Sequence, residues 1–272
     1  MENIEKFVRD RRSVRAYDGR ALTKEDLEKL AAFIETLDNP YGIPIEFKFL
    51  NAKEQGLSSP VISGTDTYIG GKVQRVPHFE EAFGYSFELL VLYAQSLGIG
   101  TVWIGGTMDR GAFERAMELG ENEVMPCVSP LGYTAKKMSV RETVMRKAIK
   151  ADSRVPFDKI FFDGSFDAPL TEEKAGRLAF PLEMVRWSPS AVNKQPWRVV
   201  VADNAVHFYL KQAKNMASTS AGNMQKIDLG IALCHFALAA KERGLDADFS
   251  SSDPQLKTDE NTVYIASYTI KN

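Results

Sequence analysis

The sequence predicts an α+β fold built from two related halves, and three observations carry that prediction. Two long apolar helices each close at a glycine. The strand-like runs around them are not spaced as regular βαβ units. A threonine-capped helix start occurs twice, at nearly the same separation as the two long helices.

The elements follow in order. Leu22-Thr23-Lys24-Glu25 and Leu170-Thr171-Glu172-Glu173 each place a threonine before an acidic first turn, which predicts N-capped helices running on through Leu30 and Leu178. Residues 45–50 and 198–201 read as strands. Gly84, Leu92, Ala94 and Gly98 recur as Gly230, Leu238, Ala240 and Gly244, marking the buried helices and their glycine caps. Residues 99–104 and 245–249 then read as short strands, and 128–133 and 263–270 as further ones. Residues 141–150 form a basic helical stretch, and the boundary is expected near Gly164, giving halves of 1–164 and 165–272.

At 272 residues, 44% of them hydrophobic, the chain is long enough for one large domain or two of ordinary size around a real core. A net charge of −2 gives no overall attraction to nucleic acid or to an anionic membrane, so any cationic site must be local. The charged start Met1-Glu2-Asn3-Ile4-Glu5-Lys6 lacks the apolar core of a signal peptide. The longest apolar stretch, 231–240, is interrupted by His235 and too short to span a bilayer, so a cytoplasmic location is expected. Cys127 and Cys234 read as buried thiols. Neither they nor His78, His207 and His235 have ligand spacing, so no metal site is expected. Gly98-Ile99-Gly100 does not open a dinucleotide fingerprint, because Trp103 stands where its third glycine belongs.

The densest chemistry lies at Trp187-Ser188-Pro189-Ser190-Ala191-Val192-Asn193-Lys194-Gln195-Pro196-Trp197, which runs into Arg198-Val199-Val200-Val201. Pro189 and Pro196 fix φ and push the residues before them toward extended conformations, while Ser190 and Asn193 can bond nearby backbone. The result is a polar loop feeding a buried strand, suited to holding a planar, hydrogen-bonding ligand.

The string SPSAxNxQPW resembles the flavin-contacting loop of the FMN-dependent nitroreductase family, and Arg11-Arg12-Ser13-Val14-Arg15-Ala16-Tyr17 is similar to that family's basic phosphate motif. The resemblance implies a nitroreductase-like fold with a mixed, mainly antiparallel sheet. In the family the two motifs come from different subunits of a homodimer. Here the basic motif occurs only in the first half and the loop only in the second. Residues 36–44 keep the turn formers but lose the signature, and residues 162–167 carry no arginine. The chain therefore reads as a fused pseudo-dimer, a monomer with one complete FMN site and one that has decayed.

Arg11 and Arg15, four residues apart, are expected on one side of a helical turn with the Ser13 hydroxyl as a neutral donor, and Arg12 beside them. Guanidinium forks suit phosphate because they bond its oxygens in pairs. The resemblance adds Arg154, in Arg154-Val155-Pro156, as a further phosphate ligand; Asp152 departs from relatives that carry a second basic residue there. It also implies that the ring rests against Pro189, Ser190 and Ala191, and that the Asn193 amide meets its polar edge. Trp103-Ile104-Gly105-Gly106 is similar to the family's strand-end turn, where Gly105 and Gly106 bring a backbone N–H to the flavin N5; read by itself the pair is an ordinary tight turn. Arg12 and Lys194 are candidates to steady the reduced ring.

The implied activity is hydride transfer from NADH or NADPH through FMN to a small-molecule acceptor such as a nitroaromatic or quinone, with no catalytic side chain required. Two alternatives stand: a flavin-binding protein without turnover, and a dehalogenase or flavin-fragmenting relative. A lid at 54–77, carrying Tyr68, Gly70, Gly71 and Arg75, would favour the last, and the same segment also reads as an exposed loop.

Overall fold

The structure is a computed structural model that describes residues 3–213 and 219–271, so Met1 and Glu2 of the charged start lie outside it. It opens with α1 (Ile4–Asp10), α2 (Lys24–Ile34), β1 (Glu46–Asn51), α3 (Ala52–Gln55) and β2 (Thr67–Gln74). Then come α4 (Phe79–Ser96), β3 (Ile99–Gly100), α5 (Arg110–Ala116), β4 (Glu123–Val124), β5 (Val128–Pro130), β6 (Gly132–Tyr133) and α6 (Val140–Ala148). The remainder comprises β7 (Phe161–Asp163), α7 (Glu172–Ala175), α8 (Ala179–Arg186), β8 (Trp197–Ala202), β9 (Ala205–Lys211), α9 (Met224–Glu242), β10 (Ala247–Ser250) and β11 (Thr262–Ile270).

These elements form two compact units. One is Asp10–Lys150 with Ser218–Gly222; the other is Met1–Arg9, Ala151–Ala217 and Asn223–Asn272. The division falls between Lys150 and Ala151 rather than at Gly164. The reason lies in the backbone: β7 pairs in parallel with β8, and Val199 donates to the Ile160 carbonyl at 2.8 Å, which binds the residues before Gly164 to the sheet that follows.

In the unit containing Asp10–Lys150, β2 pairs antiparallel with β1 on one side and with β4 and β5 on the other. Six of its eight residues are buried, which corrects the expectation of a lid or exposed loop at 54–77. Gly70 and Gly71 hid this strand, since glycine weakens a strand pattern. Packing requires them. A Cβ at Gly70 would lie 2.5 Å from Met117 Sδ, and one at Gly71 would lie 2.9 Å from Phe83 Cε2 on α4. Thr23 caps α2 by accepting from the Asp26 amide, and α4 ends before Gly98 at φ 75°, both as expected. Residues 99–104 form less strand than expected. β3 holds only Ile99 and Gly100, and Thr101 and Ile104 make isolated bridges to Ser13 and Val128.

In the other unit, the five-stranded sheet runs β10-β11-β9-β8-β7, and β7–β8 is its one parallel pairing. Apolar side chains of one face meet α9, where Phe236 lies 5.6 Å from Phe208 and 5.2 Å from Tyr268 between ring centres. Asn223 caps α9 by accepting from the Gln225 amide. Thr171 caps α7 as expected, but that helix stops at Ala175. Gly176 takes φ 54°, and the chain passes through a short 3-10 turn into α8. Cys127 and Cys234 are buried, and no described helix is long and apolar enough to cross a membrane.

Phe83 is fully buried and rigid, so Gly71→Ala should force it to shift. The expected loss is about 1–3 kcal/mol of unfolding free energy, measured by urea denaturation of the two proteins; an unchanged midpoint would contradict the packing described.

Candidate functional site

The arginine motif is extended, not helical. After α1 ends at Asp10, Ser13 bridges Thr101 in parallel, Val14 donates to the Thr101 carbonyl at 2.9 Å, and Ala16 bridges Ser63. The Thr101 and Ser63 pairings override the i, i+4 spacing that suggested a helical turn. They leave three guanidiniums in different circumstances. Arg12 pairs with Glu142, whose side chain is fully buried and whose Oε2 accepts from the Arg15 amide at 3.3 Å. Nε and Nη1 of Arg11 and Nη1 of Arg15 are sealed from solvent and have no hydrogen-bond partner among the described residues. Burial lowers the pKa of both, Glu88 opposes this for Arg11 and Glu142 for Arg15, and Arg146 lowers both. Arg146, Glu142 and Glu88 were not found from the sequence. Ser139 caps α6 at the Glu142 amide, a capping-box pattern that locates the helix but not what its glutamate faces.

In the same unit, the Gly105-Gly106 turn follows the Ile104 bridge. Arg110 Nη2 donates to the Gly105 carbonyl at 2.6 Å, and a Cβ added at Gly106 would meet nothing within 4 Å. The backbone there is held on one side and open on the other.

The 187–197 loop belongs to the second unit. It contains one 3-10 turn, Ala191–Asn193, and is otherwise irregular, as the two prolines predicted. Val192, Asn193 and Gln195 take φ of 46°, 56° and 50°, on either side of Lys194 at φ −72°, and the left-handed region is costly for a β-branched valine. Gln195 holds the loop. Only 3% exposed, this residue accepts from the Val155 amide through Oε1 at 2.9 Å and donates through Nε2 to the carbonyls of Ser153 and Asn193, both at 3.3 Å. Its own amide donates to Ser190 Oγ at 2.9 Å. Asn193 Nδ2 donates to the Ser153 carbonyl at 3.1 Å, which fixes the orientation of its amide. Lys194 is exposed.

Trp187 anchors Arg154. The Arg154 guanidinium lies 4.7 Å over the indole and its Nη1 donates to the Ala151 and Ser153 carbonyls, while Trp187 Nε1 donates to Glu183 at 2.7 Å. Arg154 therefore stands beside the loop, within one unit.

Beneath the loop, Asp228 of α9 accepts from the Ala191 amide through Oδ1 at 2.9 Å, and its buried Oδ2 has no partner among the described residues. With no counter-charge against it, burial pushes the carboxyl up to about 8, and the Ala191 bond opposes only part of this. Nothing in its sequence context separates Asp228 from an exposed helix aspartate.

Two outcomes follow. A proton held more tightly in the folded than in the unfolded chain contributes stability that is complete below the unfolded carboxylate pKa, declines from about pH 4, and is gone once pH passes about 8. Urea denaturation of Asp228→Asn, which keeps the acceptor, should show a flatter decline over that window than the parent; parallel curves would contradict a neutral buried acid. Gln195→Ala removes the partner of the Val155 amide and should cost about 1–3 kcal/mol in the same assay.

A family profile described as "Putative TM nitroreductase" matches residues 3–240. No curated protein matches the chain. Among solved structures, a nitroreductase from Thermotoga maritima is 20% identical, with 99% of this chain and 93% of that one covered at a TM-score of 0.62, a likeness of fold. A nitroreductase with bound FMN from Bacteroides fragilis is also 20% identical, with 52% of this chain and 92% of that one covered at a TM-score of 0.42. The profile match spans most of the chain, and with the α+β architecture it establishes that this protein belongs to the nitroreductase family of oxidoreductases.

Proposed function

We propose that the chain binds one FMN and works as an NADH- or NADPH-dependent oxidoreductase on a small-molecule acceptor. The observation that carries this reading is the set of buried guanidinium nitrogens on Arg11 and Arg15 that lack partners, flanking Ser13. Burying a guanidinium without hydrogen-bond partners is costly; Glu88 acts on Arg11, and the one carboxylate that acts on Arg15, Glu142, is already paired with Arg12. A phosphate dianion offsets that cost, and forked donors match its oxygens. The donor set fits the FMN phosphate.

Arg11, Ser13 and Arg15 would hold the phosphate, with Arg154 as a further ligand. Pro189, Ser190 and Ala191 would support the ring, Asn193 its polar edge, and the Gly105-Gly106 turn, open at Gly106, its reactive centre. When bound, FMN would supply the hydride chemistry between NADH or NADPH and an acceptor such as a nitroaromatic or quinone. The protein contributes orientation and charge. Arg12, paired with Glu142, supports the phosphate segment, and exposed Lys194 is a poor candidate for steadying a reduced ring.

The same reasoning supports a fused pseudo-dimer with a lapsed second site. At 36–44, where the first half would hold its own loop, Asn39 donates to the Ile43 carbonyl at 2.7 Å and to Ser86 Oγ at 3.2 Å while its Oδ1 accepts from Tyr41 and Ile43. That amide closes its own turn. A dehalogenase-like reading loses its lid, since 67–74 is the buried strand β2.

The experiment compares FMN with riboflavin, which lacks the phosphate, by quenching of flavin fluorescence. Arg11→Met and Arg15→Ala should each weaken FMN binding by about 10-fold or more, the loss of one charge-assisted contact, and leave riboflavin unchanged. Equal losses for both ligands would refute the phosphate assignment.

A further inference from the structure

Strand register in the second unit places Phe162, Val200, His207 and Ser267 in one cross-strand row, and Arg198, Tyr209 and Tyr264 in the next. Side chains directly opposite one another share a face, and alternate residues along a strand share it too. These rows therefore lie on the face turned away from Phe208 and α9. Here Phe162, Phe166, Asp167, Arg198, Lys211, Lys257 and Asp259 bound a cavity of about 420 Å³, within the size range of small-molecule sites. No function described above uses it.

Its charge is unbalanced at one point. Lys211 and Asp259 are paired. Arg198 Nη1 donates to the Trp197 and Gln195 carbonyls at 2.7 and 3.3 Å, but its Nε and Nη2 have no partner among the described residues and no carboxylate pairs with it. Burial alone lowers its pKa, with no charged group acting on it in either direction. A guanidinium stays protonated, so a half-buried fork without an anion keeps its desolvation cost. Exposed Lys257 adds a second cation to the lining and exposed Asp167 a carboxylate, which leaves the desolvated Arg198 fork as the uncompensated charge, and Phe162 and Phe166, 5.4 Å apart between ring centres, supply aromatic surface. Phe166 in turn packs edge-on against Tyr209 at 5.0 Å, which fixes it from behind.

We propose that this cavity is a ligand site for a small aromatic carboxylate, with the carboxylate on the Arg198 fork, Lys257 steering it, and the ring against Phe162 and Phe166. A planar two-oxygen anion matches the remaining donors of Arg198, and a neutral analogue leaves them unmet.

Benzoate is the probe, titrated by calorimetry into the full chain, with benzyl alcohol as the neutral comparison. The parent should bind benzoate and not benzyl alcohol. Arg198→Met should weaken benzoate by about 10-fold or more, as expected for loss of a charge-assisted fork, and Arg198→Lys should keep part of it. Lys257→Glu, on an exposed residue, should weaken it by at least about threefold, and decides the matter if Arg198→Met fails to fold. Absence of benzoate binding would overturn the proposal. So would affinity unchanged in the Arg198 and Lys257 variants, or affinity lost only in Arg15→Ala, which would put the anion on the other unit's arginines.

Discussion

The buried amide of Gln195 is the constraint on which the loop's geometry depends. It ties 190–195 to 153–155 through two hydrogen bonds and bonds the Asn193 carbonyl within the loop, while its backbone amide is held by Ser190. Such a clamp offsets the cost of holding Val192, Asn193 and Gln195 in left-handed backbone, which is greatest for the β-branched Val192. Asp228 closes the other end at Ala191, and Trp187 fixes Arg154 alongside. A loop determined at this many points presents its backbone in one arrangement, which is what recognition of a rigid planar ligand requires.

The arginine motif shows the complementary arrangement. Arg12 is neutralised by Glu142, which also accepts from the Arg15 amide and so aligns the segment, while Arg11 and Arg15 keep buried nitrogens without partners. A chain of net charge −2 thus concentrates positive charge where its average composition gives no sign of it. The arginines and the loop belong to different units.

The legible parts of the sequence were those fixed locally. Thr23, Thr171 and the glycines after α4 and α9 act on their own neighbours, and so do Pro189 and Pro196, and each expectation built on them located its element. What sequence pattern missed is set by distant partners. β2 was obscured because Met117 and Phe83 exclude side chains from Gly70 and Gly71. The arginine segment is extended because Thr101 and Ser63 pair with it. The importance of Asp228 comes from Ala191, 37 residues earlier, and from burial, neither of which leaves a local mark. The unit boundary moved for the same reason, since β7 is claimed by β8.

The proposal of a single redox-active flavin per chain is tested most directly by an anaerobic titration of the FMN-saturated protein with NADH or NADPH, with flavin and protein counted in the same sample. One FMN per chain, bleached in full by either nucleotide, is the predicted result. Two per chain, or a bound flavin that neither nucleotide bleaches, would contradict it.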